Sequence, residues 1–465
     1  MRILSALIAP ALCSADTYSE GIFEHPLQNG GRLVEFKFEI TSQYNGSQLL
    51  EIFPQPLASV LGPFRGDLDS LKGFLVRGRW KERVWGAAPI EVAPYGSSMH
   101  VKASKSSKRV SSSLWTRAAW MFSSVLGASF QSLDPELKSF YWIAPLDISG
   151  ATGPVRVNSN PNEHVCTENL ERFTDLLPCR HRRGLGESIL RLSREMARTE
   201  FLQISIEAAN TSSELLVLKG SVIAVLPDSA DLTLSQCPAV SQTLEQVAKT
   251  PQQVHVKRSL IGTAKRPERT AGKLLVSITN RDSQKSHFIE YYEQLPFFLV
   301  PLWSTHSTVS SMNGHSKGGL PAITYSDGLT SPTFFKYSFP LAPNETVTIA
   351  LDVYKKYVSV DKLSYSFEKG FDIASAAFRI DREASVHLTR GLVVVIPLAD
   401  QTSTFNSIAI TLTTISIFFG MIYRNFSGKR RDIVSQDDAA VAAREPPIVR
   451  LIRFLISRIR QSAPS

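Results

Sequence analysis

Three cysteines in the body of the chain, Cys166, Cys179 and Cys237, have side chains that could act as nucleophiles or form bridges. His164 stands two residues before Cys166, and residues i and i+2 share a face on a strand. Thiol hydrolases, however, bring cysteine and histidine together from distant segments, with a third group orienting the histidine. We therefore expect Cys166 to be a structural or bridging cysteine, and a thiol hydrolase is the alternative.

The sequence contains no other signature of catalysis or metal binding. It has no P-loop, H-E-x-x-H or G-x-G-x-x-G string, and its one G-x-S-x-G match, residues 314–318, lies in a Ser- and Gly-rich stretch typical of a solvated loop. No two cysteines have C-x₂-C spacing, and the nine histidines form no H-x₃-H cluster. We predict no catalytic residue, no metal site and no cofactor.

Charge and composition exclude several classes of protein. Of 465 residues 43% are apolar and the mean hydropathy is −0.04, which excludes global disorder and a multi-span membrane protein. The net charge is +9, but nine Lys and Arg residues and only four Asp and Glu residues follow position 423. The body of the chain therefore has a weak field, and we expect no nucleic-acid partner.

Both ends of the sequence have the pattern of targeting segments. Residues 1–15 place one arginine before an apolar run and end in small residues, which predicts a cleavable signal peptide. A buried strand or a short anchor is the alternative. Residues 405–423 carry no charge and predict a transmembrane helix, with a buried core helix as the alternative. Basic residues follow at Arg424 and 429–431, so the topology is type I with a lumenal body.

The predicted cytosolic tail, residues 424–465, ends in an amphipathic segment. Its apolar residues recur at helical spacing and its arginines fall mostly on the other face; the apolar set is Ile448, Leu451, Ile452, Leu455, Ile456 and Ile459. This pattern predicts a basic helix on an anionic lipid surface. A helix that docks on a partner is the alternative.

The predicted topology also bears on cysteines and glycans. Cys13 would leave with the signal peptide, so three thiols remain, and one intra-chain pair would leave one thiol over. That thiol is either a buried free cysteine or a bridge to another chain. Sequons at Asn45, Asn210 and Asn344 lie in the predicted lumenal body, whereas the sequon at Asn425 lies past the span and should stay unmodified.

Alternating apolar and polar residues dominate the body of the chain. They occur at residues 34–40 and 347–353, and apolar runs at 215–226 and 274–278 predict further strands. We predict a mainly β fold with sandwich-like lumenal domains, few helices and one C-terminal transmembrane helix. The predicted division is residues 16–260 and 261–404.

Four polar-aromatic strings remain, and core packing would explain each of them taken singly. In order, they hold Trp80, Trp85 and Gly86; Cys166, Thr167, Glu168, Asn169 and Leu170 with Leu176, Leu177, Pro178, Cys179, Gly184 and Leu185; Leu295 and Pro296; and Gly370, Phe371, Asp372 and Ile373. Together they resemble the PIG-T family, non-catalytic components of the glycosylphosphatidylinositol (GPI) transamidase, over nearly the whole chain. The chain departs from the family pattern at Arg79, Ala88 and Phe297.

The resemblance implies a function in the endoplasmic reticulum membrane. Proteins of this family hold and stabilise a cysteine-peptidase-like subunit, PIG-K, while the complex joins precursor proteins to a GPI lipid. It also implies a disulfide to that subunit, for which we choose Cys166, with Cys179 second. The alternative from another class is an adhesion or receptor ectodomain with one span, which would reach the cell surface.

Overall fold

We describe the fold from a computed structural model. It describes residues 16–43, 52–64, 66–133, 145–149, 153–163, 165–210, 215–244, 253–262, 271–312, 322–324, 332–356, 371–383, 385–395 and 402–428. The chain divides into two compact units, residues 1–398 and 399–465. The predicted signal peptide, Asn45, His164, Gly370 and the predicted tail helix lie outside the described residues.

A nine-stranded sheet, here called the N-terminal sheet, organises the first part of the chain. Its strands are β1 (Thr17–Pro26), β2 (Arg32–Gln43), β3 (Leu68–Gly78), β4 (Gly96–Ala103), β5 (Leu146–Ile148), β6 (Val155–Asn160), β7 (Phe201–Asn210), β8 (Leu215–Leu226) and β9 (Gln242–Thr243). They lie in the order β5-β6-β4-β3-β7-β8-β2-β1-β9. Neighbours pair antiparallel except for the parallel pair of β1 and β9.

Short helices cover one face of this sheet. The helices of this region are α1 (Gln55–Leu61), α2 (Glu82–Trp85), α3 (Ser112–Leu126), α4 (Thr167–Thr174), α5 (Gly184–Arg191) and α6 (Ser193–Arg198). The alternation of β2 directs Phe36 and Phe38 into the same core as Phe122 of α3 and Phe173 of α4. Each of these helices except the four-residue α2 contributes side chains to this main core.

The opposite face of the sheet carries a row of alternating charges. In register across β2, β8, β7 and β3 lie Glu39, Lys219, Glu207 and Lys72. Lys219 Nζ lies 3.4 Å from a Glu39 carboxylate oxygen, and Lys72 Nζ lies 3.2 Å from one of Glu207. Opposite charges directly across antiparallel strands favour this register, and the charged row keeps this part of the face in water.

Two facing sheets form the second assembly, Val254–Val394. Its strands are β10 (Val254–Ile261), β11 (Ala271–Asn280), β12 (His287–Leu295), β13 (Leu299–Ser310), β14 (Ala322–Thr324), β15 (Thr333–Leu341), β16 (Thr346–Lys355), β17 (Phe371–Ile373), β18 (Ala377–Ile380), β19 (His387–Leu388) and β20 (Leu392–Val394). The orders are β10-β11-β16-β13 and β14-β15-β12-β18-β19, and β17 pairs with β20. Val276 and Ile349 of one sheet share a core with Tyr291 and Phe335 of the other, as in a sandwich.

The mainly β prediction is therefore confirmed. Both alternating segments, residues 34–40 and 347–353, lie in strands, β2 and β16. The predicted division between residues 260 and 261 falls inside β10, which pairs with β11 over its whole length from Val254 to Ile261. The strands of the second assembly thus begin at Val254.

A buried ion pair crosses the core of the second assembly. Arg258 Nη2 donates to Glu293 Oε1 at 2.5 Å, and both side chains are fully buried. Tyr291 Oη donates to the other carboxylate oxygen at 2.5 Å, and Arg258 Nη1 donates to the Ala374 carbonyl at 2.7 Å. Loss of either charge would leave the other buried and unpaired, so the network ties β10 and β12 to the segment before β18.

The second unit contains one long helix, α7 (Thr402–Gly428). Its residues Phe405–Ser427 are long and apolar enough to span a membrane, and none of the window is buried. Three threonine hydroxyls donate to carbonyl oxygens four residues back: Thr411 to Ser407, Thr413 to Ala409 and Thr414 to Ile410, at 2.7–2.8 Å. These bonds satisfy the hydroxyls inside an apolar helix. The length and apolar composition of α7 confirm the predicted C-terminal helix as a candidate membrane span.

Candidate functional site

Cys166 is an exposed, unpaired cysteine at the N-terminal cap of α4. Its backbone N–H donates to Asn169 Oδ1 at 2.7 Å, and its Sγ lies 3.2 Å from the same oxygen. Asn169 Nδ2 donates in turn to the Leu126 carbonyl at 2.8 Å, at the end of α3. A single buried side chain therefore fixes the start of α4 against α3 and holds the thiol at the surface.

The family-like string around Cys166 divides into exposed and buried residues. Cys166, Thr167 and Glu168 are exposed, whereas Asn169 and Leu170 are buried. Leu170 belongs to the main core of the N-terminal sheet. The string thus anchors one end of α4 in the core and leaves the thiol end accessible to another chain.

Cys179 pairs with Cys237 inside the chain. Their Cα atoms are 6.0 Å apart, and the bridge joins positions 58 residues apart in sequence. Half-buried Pro178 precedes this bridge. Cys166 is consequently the one free thiol among the residues that the structure describes. Cys179 is thus engaged within the chain, and an inter-chain bridge at Cys166 stays a prediction.

The first family-like string packs as a small aromatic core on the outer face of the sheet. Trp80 and Trp85 are buried with ring centroids 5.0 Å apart, and Trp80 also stacks edge-on against Phe201 at 5.4 Å. Trp80 Nε1 donates to the Gly86 carbonyl at 2.9 Å. Gly86 has φ +84°, which favours glycine, and an added Cβ would lie 2.7 Å from Gln28 Cδ. These residues close the segment 79–95 over β3 and β7.

The two C-terminal strings meet in space although about 75 residues separate them in sequence. Buried Pro296 accepts a backbone hydrogen bond from Leu299 N–H at 2.9 Å in the turn between β12 and β13. Phe298 packs on Phe297 and on Phe371, at centroid distances of 5.5 and 5.3 Å. Phe371 and the residues after Pro296 therefore share one aromatic cluster at the end of the second assembly.

A charged cleft lies between the segment 79–95 and the second assembly. Its cavity volume is about 220 Å³, and its lining includes Arg79, His100, Asp372, His387 and Arg390. Burial raises the pKa of Asp372 above its usual range, although Arg79 opposes this shift. Burial lowers the pKa of His100 to about 4 and also lowers the pKa of His387, against the opposing charge of Glu91.

Direct contacts across this cleft join the two β parts. Glu82 pairs with Arg281, and His255 Nε2 lies 3.2 Å from a Glu82 carboxylate oxygen. Arg390 Nη2 donates to the Trp80 carbonyl at 2.7 Å. The family-like residues Trp80 and Asp372 thus belong to the junction of the two β parts.

Two of the predicted sequon residues, Asn210 and Asn344, lie at or near strand ends. Asn344 is exposed, with the left-handed φ of 55°. Asn210 ends β7, is half-buried, and its Nδ2 donates to the Leu68 carbonyl at 3.0 Å. Asn425 lies within the candidate span of α7. Glycosylation at Asn45, Asn210 and Asn344 stays a prediction.

Two charged features were not anticipated from sequence. His100, His255 and His387 meet at the cleft although they are far apart in the chain, so no spacing rule identifies them. Arg180, His181, Arg182 and Arg183 form an exposed basic turn directly after Cys179. The run of basic residues itself was the available signal for this turn.

Comparison with known proteins gives consistent matches. Residues 2–233 and 220–455 match the family described as Gpi16 subunit, GPI transamidase component. The chain is 27% identical over 200 residues to the GPI-anchor transamidase component PIGT of Mus musculus, covering 40% of this chain and 34% of the relative. The match to human PIGT is 27% over 179 residues, covering 37% and 30%.

A fungal relative matches over a longer stretch. The GPI transamidase component PIG-T homolog of Schizosaccharomyces pombe is 21% identical over 499 residues, covering 88% of this chain and 89% of the relative. The chain spans only about a third of the length of the mouse and human relatives in those matches. The similarity to the family therefore extends through both β parts and the C-terminal helix.

Proposed function

Because the chain belongs to the Gpi16 family of GPI transamidase components, we propose that it is a non-catalytic structural subunit of that complex. It would hold and stabilise the cysteine-peptidase-like subunit, PIG-K-like, and contact the other subunits. Precursor proteins and the GPI lipid would meet this chain through the complex. We further propose residence in the endoplasmic reticulum membrane, with the body in the lumen and the tail in the cytosol.

The observation that carries this proposal is the state of the three described cysteines. Cys179 and Cys237 form a disulfide within the chain, and Cys166 is left exposed at a surface position that Asn169 fixes. An exposed thiol in an oxidising lumen favours a bridge to another chain. A bridge would limit separation of the two subunits in the same way that a loop-closing disulfide limits an unfolded chain.

The test is a Cys166→Ser variant of the full chain, expressed in cells with the other subunits. We expect a high-mass band on a non-reducing gel to disappear and GPI attachment to fall without being lost, because non-covalent contacts remain. A Cys179→Ser/Cys237→Ser double variant is the matched control, and its high-mass band should persist.

Three other results would contradict the proposal. A band that persists in Cys166→Ser and vanishes in the double variant would mean that the wrong cysteine was chosen. A band that survives in both variants would exclude an inter-chain bridge. Complete loss of attachment in Cys166→Ser, with the complex still assembled on purification, would favour a thiol nucleophile in this chain.

A further inference from the structure

The turn between α4 and α5 presents a concentrated positive charge. Arg180, His181, Arg182 and Arg183, here called the cationic turn, follow one another and are all exposed. Within the described residues, none of the four side chains has an ion pair or a hydrogen bond. Arg191 of α5, by contrast, donates to the Thr233 carbonyl at 2.7 Å.

The cationic turn is held rigidly from both sides. The Cys179–Cys237 bridge fixes its start, and Arg180 adopts a left-handed φ of 47°. At its end, Gly184 N–H donates to Ser235 Oγ at 2.8 Å. Gly186 lies so close that an added Cβ would be 1.8 Å from the Arg180 carbonyl oxygen. A charged loop with no binding role would not need these constraints. A non-glycine residue that the surrounding structure holds in the left-handed region often marks a functional turn.

The charge of the turn also works against local stability. Arg183 is the N-cap of α5, where the positive end of the helix dipole favours an anion. The nearby carboxylates bind other groups and not the cationic turn: buried Glu20 accepts from Leu185 N–H at 3.1 Å, and Glu187 accepts from Ser235 Oγ at 2.5 Å. The exposed guanidinium groups repel one another and the helix end. A negatively charged ligand would offset both effects.

We propose that the cationic turn docks an acidic segment of another polypeptide. Guanidinium groups bind carboxylates bidentately, and a fixed turn limits the entropy lost on binding. A lipid surface fits less well, because Glu168 and Glu171 of α4 and Asp175 at its end are exposed just before the turn, and a uniformly anionic surface would repel them. No apolar side chain from 175 to 187 is exposed to enter a membrane. A polypeptide can place acidic residues against the arginines of the turn and basic or neutral residues against the carboxylates before it.

The test measures binding of a fluorescein-labelled oligoglutamate peptide to the purified full chain in detergent, by fluorescence anisotropy over a salt series. We expect Arg182→Glu/Arg183→Glu to weaken binding at least about tenfold and to reduce its salt dependence. The matched control is Arg194→Glu/Arg198→Glu, which makes the same charge change at exposed positions of α6 and should change affinity less than about twofold. Arg180 is left unchanged because of its left-handed backbone.

Other outcomes would overturn the inference. An equal loss of peptide affinity in both double variants would mean that binding depends only on the net charge of the protein. Loss of flotation with phosphatidylserine vesicles, without loss of peptide binding, would assign the turn to lipid. If inorganic phosphate displaces the peptide at a concentration equal to that of the peptide's glutamate side chains, the turn is a small-anion site. The inference does not depend on the proposed Cys166 bridge: Cys166→Ser should leave peptide binding unchanged, and failure here would leave the gel result intact.

Discussion

Asn169 connects the free thiol to the core of the protein through its amide group. Its oxygen accepts from Cys166 N–H, and its nitrogen donates to Leu126 and Gly127 carbonyls at 2.8 and 3.3 Å. The side chain is almost fully buried, so no water could replace these bonds without rearrangement. The orientation of Cys166 therefore depends on a residue that never reaches the surface.

We expect Asn169→Ala to destabilise the fold by about 1–3 kcal/mol, because three backbone groups, one of them the buried Leu126 carbonyl, lose a partner. Urea unfolding followed by tryptophan fluorescence measures this change, and the labelling rate of Cys166 by a maleimide should alter as the start of α4 loosens. Thr167→Ala, at an exposed neighbouring position, should cost less than about 0.5 kcal/mol. Equal effects of the two changes would show that the Asn169 bonds do not support the cap.

His100 gives the fold a specific pH dependence. It is buried beside Phe74, and burial lowers its pKa to about 4 from a usual value of 6.5. Below pH 6.5 the unfolded chain takes up a proton that the folded chain does not, so stability falls as the pH drops from about 6.5 to about 4. The contribution lost is at most about 3 kcal/mol.

We expect His100→Phe to flatten the stability profile between about pH 6.5 and 4. Urea midpoints measured at several pH values provide the readout. Glu91 favours the charged form, whereas Lys72 and His387 disfavour it, so His387→Phe serves as a second, smaller perturbation. If the wild-type and His100→Phe slopes are the same, His100 is not the group that titrates.

At the scale of elements, the aromatic core under segment 79–95 is the clearest stabilising unit outside the main cores. Trp80, Trp85 and Phe201 pack with Leu33 and Val76 on the outer face of the N-terminal sheet. This core covers one end of a face whose other end carries the charged row. The segment is long and irregular, so its position depends on these large side chains.

We expect Trp85→Ala to destabilise the protein by about 3–5 kcal/mol, because it removes a buried aromatic side chain and leaves a cavity. Trp120→Ala is the matched control: the same substitution at a tryptophan on α3 that is 52% exposed, with an expected change below about 0.5 kcal/mol. Thermal unfolding of the two variants in the same detergent compares them. Similar losses would mean that the Trp85 cluster contributes no specific packing.

Strands were easier to predict from this sequence than helices. In β16, side chains alternate between core and solvent over its whole length, and this alternation shows directly in the residue pattern. Residues 187–200 have the spacing of one continuous helix, yet the chain forms two short helices there, α5 and α6, with a break at Leu192. The longest helix of the first unit, α3, has a serine N-cap at Ser111 and a left-handed Gly127 at its end; these signals were present, but no helix was predicted there.

The candidate site was only partly accessible from sequence for a physical reason. Family-like strings identified Cys166, but the partner of Cys179 could not be derived, because Cys237 lies 58 residues away and spacing does not fix pairing. The cleft depends on β4, β10 and the segment before β20 converging in space. Such long-range convergence follows from sheet order, which alternation within single strands does not specify.

At the scale of the whole molecule, polar contacts join the two β parts of the first unit. Ser375 N–H donates to Ser159 Oγ at 3.0 Å, and Ile148 and Val157 share a small core with Ala377. Together with the Glu82 and Arg390 contacts, they show that the junction combines ion pairs and hydrogen bonds with a buried apolar cluster.

The orientation of the chain across the membrane can be tested by its glycans. Only sequons on the lumenal side receive oligosaccharide, and Asn344 is exposed in a left-handed turn before β16. We expect Asn344→Asp, which tolerates this backbone conformation, to raise gel mobility by one glycan step. Thr346→Ser should keep the sequon and the step, and Asn425→Gln should change nothing.

Endoglycosidase H should then collapse all glycoforms of the wild-type chain to one band, because a protein that stays in the reticulum keeps high-mannose glycans. The prediction follows from combining one candidate span in α7 with basic residues at its C-terminal end, at Arg424, and directly after it, at 429–431. A glycan step lost in Asn425→Gln but kept in Asn344→Asp would reverse the orientation. Resistant, complex glycans would place the protein beyond the reticulum and favour the receptor alternative over a transamidase subunit.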